Sequence, residues 1–253
     1  MPEKNAAKPK ILTRDTGASI AYHTLAGKTP GIIFMTGFMS DMTGSKALAL
    51  EDLCRDRGHA FLQFDYQGHG ASSGNFADGT IGLWAGDALA AFDALTEGPQ
   101  VIVGSSMGGW IMLLTALARS DRISGLVGIA AAPDFTEDLL PQSLTEKHLQ
   151  MIERNGVVVI PSDYDDPYMI TKALLDDGTH HVLMNKEIAL DCPVRLLHGL
   201  EDESVPWQRS LTLQERLRSD DVEITLIKGG DHRLSGDQEL KKLQKTAASL
   251  LST

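Results

Sequence analysis

Short apolar runs with no polar alternation recur along the chain, at Gly31–Met35, Ala60–Phe64, Gln100–Val103, Leu126–Ala130, Val194–Leu197 and Ile224–Ile227. Runs of this kind suit parallel strands that are covered on both faces. Stretches with a helical period separate them. Ile81, Trp84, Ala88, Phe92 and Leu95 fall on one helical face. A helix over Lys46–Arg57 stops at Gly58, where a left-handed residue can close it, and an apolar helix is predicted over Trp110–Ala118. The last helix is expected to open on a capping box from Ser235 to Gln238 and to bury Leu240, Leu243, Ala247 and Leu250, leaving Lys241, Lys242 and Lys245 in solvent. Ahead of these elements, Ile11–Arg14 and Ser19–Leu25 flank Thr16-Gly17 as a hairpin. The alternation predicts an α/β fold: a mostly parallel, doubly wound sheet of about eight strands with an antiparallel edge.

One segment breaks the rhythm. About sixty residues separate the run ending at Ala130 from the run starting at Val194, against roughly thirty in one strand–helix–strand unit. Phe135–Lys186 is therefore expected to be a cap inserted into a single domain spanning residues 10–253. It holds a helix over Leu144–Arg154, a β-branched run over Val157–Ile160 and a helix over Tyr168–Leu175. Insertions at the carboxyl end of such sheets sit over the ligand crevice.

Composition narrows the function classes. The 253 residues carry 34 acidic and 23 basic side chains, a net charge of −11, which suits neither a phosphate backbone nor nucleic acid as a partner. No apolar run of 18 residues is present, so no stable membrane insertion is expected. The two cysteines, Cys54 and Cys192, form no disulfide framework and no zinc motif. The polar stretch Met1–Lys10 has no apolar signal core and reads as a loose tail, so the expected location is the cytoplasm.

The most informative stretch is Val101-Ile-Val-Gly104-Ser105-Ser106-Met107-Gly108-Gly109-Trp110, a Gly-x-Ser-x-Gly pattern entered from a strand and left through a helix. That is the context of a nucleophile elbow, in which a strained turn lifts a serine clear of the sheet at a helix N-terminus. Side chains at Gly104 and Gly108 are expected to collide with the neighbouring strand and helix. A serine nucleophile needs a base, an orienting acid and oxyanion donors. In chain order the acid precedes the histidine. His232, after the last strand, is the leading base among eight histidines; His69, in Gly68-His-Gly70, also lies on a loop at the active edge. Asp202, beyond the strand ending in His198, is the leading acid, with Glu201, Glu203, Asp231 and Asp134 as alternatives. The oxyanion donors are expected to be the N–H groups of Met107 and Phe38. Met39, Phe135, Met151, Met169, Leu174 and Trp207 are candidates to bind the substrate. No HExxH, Walker or GxGxxG pattern occurs, so neither a metal nor a nucleotide cofactor is expected.

These residues resemble a known family. Gly104-Ser-Ser-Met-Gly-Gly-Trp110, Phe64-Asp-Tyr-Gln-Gly-His-Gly70, the stretch from Cys192 to Trp207, Asp231-His-Arg233 and the blocks starting at Pro30 and Gly44 are similar to the palmitoyl-protein thioesterase and acyl-glucuronide esterase branch of the α/β-hydrolase superfamily. The likeness runs from Pro30 to the last helix and is loosest in the expected cap. It implies Ser106 as nucleophile, Asp202 as acid and His232 as base, acting on a small-molecule ester, an acyl thioester or an acylated protein. One departure from that branch is expected to matter: with no transit peptide in the sequence, its mitochondrial address does not carry over, and a bacterial cytosolic relative is expected. Rival expectations are a small-molecule carboxylesterase, a C–C bond hydrolase using the same three residues, and a catalytically silent ligand-binding receptor on the same fold.

Overall fold

The computed structural model describes residues 8–161 and 167–251. Most of the stretch expected to be a loose tail therefore lies outside the described residues. The hairpin of β1 (Lys10–Thr13) and β2 (Ser19–Leu25) leads into β3 (Lys28–Met35), α1 (Ser45–Arg57), β4 (His59–Phe64), α2 (Ile81–Leu95), β5 (Gln100–Ser105), α3 (Met107–Ala118) and β6 (Ile123–Ile129). The chain then leaves the sheet through α4 (Leu139–Ser143), α5 (Glu146–Asn155), β7 (Val157–Ile160), β8 (Tyr168–Thr171) and α6 (Lys172–Gly178). It returns at β9 (Val194–Gly199), followed by α7 (Gln208–Arg216), β10 (Val222–Ile227) and α8 (Asp237–Leu250).

The eight-stranded sheet has the order β1-β2-β4-β3-β5-β6-β9-β10. Only the β1–β2 and β2–β4 pairings are antiparallel; from β4 onward every neighbour is parallel. The unbroken apolar runs follow from this, because each central strand is covered twice. One face packs Ile33, Leu62, Ile102, Leu126 and Leu196 against side chains of α2, α3 and α7. The other packs Ile32, Phe34, Val101, Val127 and Leu197 against α1 and α8. β5 lies near the middle of the sheet, so the serine at its end meets loops from both sides.

The inserted segment has a core of its own, made of Leu144, Ile152, Val158 and Ile170. It corrects one expectation. The helix predicted over Tyr168–Leu175 begins only at Lys172, and Tyr168–Thr171 is a strand paired antiparallel with β7, Ile160 opposite Tyr168 and Val157 opposite Thr171. Aromatic and β-branched residues favour the strand. Thr171 then stops it and caps α6, its hydroxyl accepting the Leu174 N–H at 3.1 Å. The opening of α8 is also corrected. Gly236 is the cap residue, and its N–H donates to Glu239 Oε2 at 2.7 Å, so Ser235 and Gln238 stand one position too early. No helix among the described residues is long and apolar enough to cross a membrane.

Candidate active site

β5 runs into α3 through a single residue, Ser106, whose backbone sits at φ 54° and ψ −120°. A non-glycine residue in that region is strained and persists only when its surroundings over-determine it. Here they do. The Ser106 N–H donates to Ile129 O at 2.9 Å, and its carbonyl accepts from Gly109 at 2.9 Å and Ala132 at 3.1 Å. A Cβ on Gly104 would lie 2.3 Å from Gly108 O, and one on Gly108 would lie 2.2 Å from Met35 O. Glycine at both places is a condition for the turn to close.

The hydroxyl this turn presents lies 3.1 Å from His232 Nε2, and His232 Nδ1 lies 2.8 Å from Asp202 Oδ2. Asp202 and His232 come from different loops, beyond β9 and β10. Those loops touch at Gly199, where a Cβ would sit 2.2 Å from Gly230 O. The N–H groups of Leu200 and Glu201 also donate to Ile227 O and Gly230 O, each at 2.9 Å. The other oxygen of Asp202, Oδ1, accepts from Ser204 N at 2.9 Å and Val205 N at 2.8 Å. Burial by itself would raise the carboxyl of Asp202. The hydrogen bonds from His198, His232 and the Val205 N–H overcome it and hold the group well below the usual carboxylate range.

Of the other acids, Glu203 lines the cavity beside Ser106 from an exposed position, Glu201 is exposed, and two are engaged by backbone. Asp134 is buried under the return of the inserted segment, where it accepts the N–H of Leu183 and of Met184 at 2.7 Å. Asp231 accepts from Arg233 N and Leu234 N, both at 3.0 Å, and shapes the histidine loop. His69 packs between Tyr66, Phe76 and Trp84, with ring centroids 5.1–5.5 Å away, and burial pushes it down to about 4, so it stays a neutral filler. Burial pushes the thiols of Cys54 and Cys192 up to about 12 and about 11, away from nucleophilic use. Among the described residues, no three His, Cys, Asp or Glu side chains are grouped to hold a metal.

Met107 is the first residue of α3, and Phe38 lies in the loop after β3 beside Gly37, where a Cβ would come 3.4 Å from Ser106 Cβ. Neither N–H has a protein acceptor among the described residues. The Phe38 ring is held edge-on by Phe76, Trp84, Phe135 and Tyr168, at centroid distances of 4.9–6.0 Å.

Two cavities share the wall formed by Phe38, Ser106, Tyr168 and His232. One, of about 400 Å³, is apolar: Phe135, Leu139, Leu140, Ile160, Ile170 and Val205 line it, with His148 and Ser143 among its polar residues. The other, of about 310 Å³, is polar, lined by Thr36, Ser40, Asp41, Lys46, Arg233 and Ser235 among others. Lys46 Nζ donates to Arg233 O at 2.6 Å, and burial draws its ammonium below its ordinary range against the pull of Asp231.

Of the six candidates for substrate contact, Phe135 alone is in the lining of the apolar cavity. Met151 packs on the inserted segment's core, and Leu174 is buried in the core under the sheet. Trp207 precedes α7, Met39 stands half-buried in its loop at φ 54°, and Met169 belongs to the face of β8 opposite Tyr168 and Ile170. Sequence reasoning missed Tyr168 and Ile170 because the segment was read with a helical period; a period of two would have found them. It also missed Leu139, Leu140 and Val205, which no periodic pattern marks.

The family model described as Hydrolase_4, serine aminopeptidase S33, matches residues 31–174. The mouse protein named palmitoyl-protein thioesterase ABHD10, mitochondrial, is 43% identical over 98% of this chain and 84% of its own length. Its human counterpart is 40% identical over 95% of this chain and 79% of its own length. The solved structure of mouse alpha/beta hydrolase domain-containing protein 10 superposes with a TM-score of 0.89 at 42% identity, covering 97% of this chain and 99% of that one. A putative hydrolase from Agrobacterium vitis S4 gives 0.92 at 38% identity, over 96% and 98%. The expected cytoplasmic location is corrected by these relatives: the mammalian proteins are named mitochondrial.

Proposed function

The chain belongs to the α/β-hydrolase family described as serine aminopeptidase S33 and is an ester- or thioester-cleaving hydrolase, and we propose that it does this chemistry through an acyl-enzyme on Ser106. The observation that carries the proposal is the relay Ser106–His232–Asp202 standing at the wall between an apolar and a polar cavity.

His232 Nε2 takes the Ser106 proton as Oγ attacks the acyl carbonyl carbon. Asp202 holds the imidazole with Nε2 toward the serine and balances the imidazolium charge. The N–H groups of Met107 and Phe38 receive the oxyanion, which gains most where water is excluded. His232 then protonates the departing alcohol or thiol, and a water repeats the sequence to release the acid. A thiolate needs less protonation to leave than an alkoxide, so one site serves both substrates.

Residues 135–186 act as a cap on the single domain, and the apolar cavity under them takes the acyl chain. Phe135, Leu139, Leu140, Ile160 and Ile170 bury methylenes there at about 0.8 kcal/mol each. The relatives' name, palmitoyl-protein thioesterase, fits this reading and extends it to S-acylated proteins as substrates.

The test is a panel of p-nitrophenyl esters and acyl thioesters of increasing length, with the intermediate trapped by acid quench and located by peptide mass spectrometry. Acyl groups on Ser106, with kcat/KM rising with chain length, are expected. Turnover with the acyl group on another residue, or with none trapped and no fluorophosphonate adduct at Ser106, overturns the proposal.

A further inference from the structure

A second imidazole sits on the carboxylate of Asp202, and the reaction course above does not use it. His198, at the end of β9, is fully buried. Its Nε2 lies 2.9 Å from Val205 O and 3.2 Å from Asp202 Oδ2. Its Nδ1 lies 2.7 Å from Ser210 Oγ on α7. Both oxygens around Nε2 can only accept, so Nε2 carries a hydrogen, and Nδ1 is hydrogen-bonded to the Ser210 hydroxyl. Asp202 is thereby saturated. Oδ1 takes two backbone N–H groups, and Oδ2 takes the His232 N–H at 2.8 Å and, as the longer branch at 3.2 Å, a share of the His198 Nε2–H that goes first to Val205 O at 2.9 Å.

We infer that His198, keyed by Ser210, is a positioning residue that acts through Asp202, fixing which carboxylate oxygen meets His232 and moderating how strongly that oxygen holds the imidazolium. The inference rests on the proposed roles of Ser106, Asp202 and His232. Two physical points support it. A carboxylate held by backbone N–H groups on one oxygen alone can still rock about its Cβ–Cγ bond; a buried ring donating to the second oxygen removes that freedom. An oxygen that divides its charge between two donors also attracts each less than it would attract one. Without His198, Oδ2 belongs to His232 alone. The imidazolium is then held more tightly, and the base becomes free only at a higher pH.

The charged and titratable groups on the surrounding elements have their own partners. Arg209 on α7 donates to Pro133 O and pairs with Asp138. Asp134 after β6 is occupied by Leu183 and Met184. On the His232 loop Asp231 accepts from the backbone, and Lys46 of α1 donates to Arg233 O. Glu203, beside Asp202 in its loop, is exposed. None of them offers Oδ2 a replacement donor.

The experiment measures kcat/KM for a short ester, and the rate of fluorophosphonate labelling of Ser106, as functions of pH. His198→Leu should move the acidic limb of both profiles upward by about half a pH unit or more and lower the plateau about tenfold. His198→Gln, which keeps an N–H near the position of Nε2, should restore most of both. Ser210→Ala, which leaves Nδ1 without its partner, should move the limb a smaller distance in the same direction; if His198→Leu does not fold, this variant decides the question. A folded His198→Leu protein whose rates fall uniformly with the limb unmoved overturns the inference, as does an unmoved limb in Ser210→Ala when that variant has to decide. Absence of labelling at Ser106 in the wild-type protein overturns the underlying assignment instead, so the two failures are distinct.

Discussion

At the carboxyl edge of the sheet, the side chains around Ser106 are placed by backbone. Across the apolar cavity, the inserted segment meets them with side chains. Ser106 is fixed by three main-chain hydrogen bonds and by glycines whose Cβ atoms would strike neighbouring carbonyls. Asp202 and His232 are brought together by Gly199 against Gly230. The opposite wall is a two-stranded sheet and three short helices around four buried aliphatic residues. It is tied down at a few points: Asp134 under Leu183 and Met184, Trp110 Nε1 donating to His181 O, and Asp177 accepting from Gly82 at the start of α2. Reaction geometry tolerates little displacement, whereas an apolar wall can exchange one side chain for another at modest cost. In the proposed function, this division would place chemistry on the rigid side and selectivity on the exchangeable one.

The comparison can be broken most directly on the rigid side. Ser106→Ala should lower kcat by about 10⁶ for every acyl length, with thermal stability retained because alanine keeps the Cβ that the turn already holds and loses only the hydroxyl; stopped assays of all chain lengths and a melt check it. Next comes Gly199→Ala. Its new Cβ must push the Gly230 carbonyl away and spread the acid and base loops. A loss of about 10² in kcat is expected, equal for acetyl and long-chain esters. A loss confined to long chains would show that the loops, and not the inserted segment, grade acyl length.

On the exchangeable side, Leu140→Ala should reduce kcat/KM for long-chain esters about five- to thirtyfold and leave acetyl esters within about twofold, the worth of one to two kcal/mol of lost burial. Met169→Ala, on the far face of β8, should change both substrates alike. The long-to-short ratio in the two variants is the measurement; equal ratios would remove the inserted segment from selectivity.

The smallest effect concerns stability. His69 is neutral in the folded protein down to about 4, while in the unfolded chain it takes a proton near 6.5. Between those values the unfolded state binds the extra proton, so its contribution to stability is complete above about 6.5 and is lost as pH falls toward 4. His69→Phe, filling the same aromatic cluster, should flatten the fall in Tm across that interval. Activity profiles should keep their shape, because His69 lies outside both cavities.

The sheet was legible because burial on both faces leaves one kind of pattern. All eight of its strands stand where the apolar runs and the leading hairpin predict, with ends shifted by a few residues. Ser106, Asp202 and His232 could be singled out because a strand–turn–helix glycine pattern and two post-strand loops leave few positions to choose from. The apolar wall was illegible for a physical reason. Tyr168–Thr171 is too short for its period to be counted, and only its pairing with Val157–Ile160 decides which residues face inward. His198 was set aside because it precedes the acid in the chain. Its contact with Asp202 depends on the turn through Val205, which folds the loop back on itself.

The wall shared by the two cavities has a kinetic consequence. In the proposed course, the acyl chain lies on one side of Ser106 and the departing group on the other, so the first product can diffuse away while the acyl chain stays in place. Whatever next enters the polar chamber meets a loaded acyl-enzyme. Water completes hydrolysis; a small alcohol or thiol of suitable shape would carry the acyl group off as a new ester or thioester. The partition between these acceptors is set by the chamber containing Lys46, Thr36 and Arg233, independently of the chain being transferred. Donor choice and acceptor choice would thus be written into separate walls of one site, and either could change without disturbing the other.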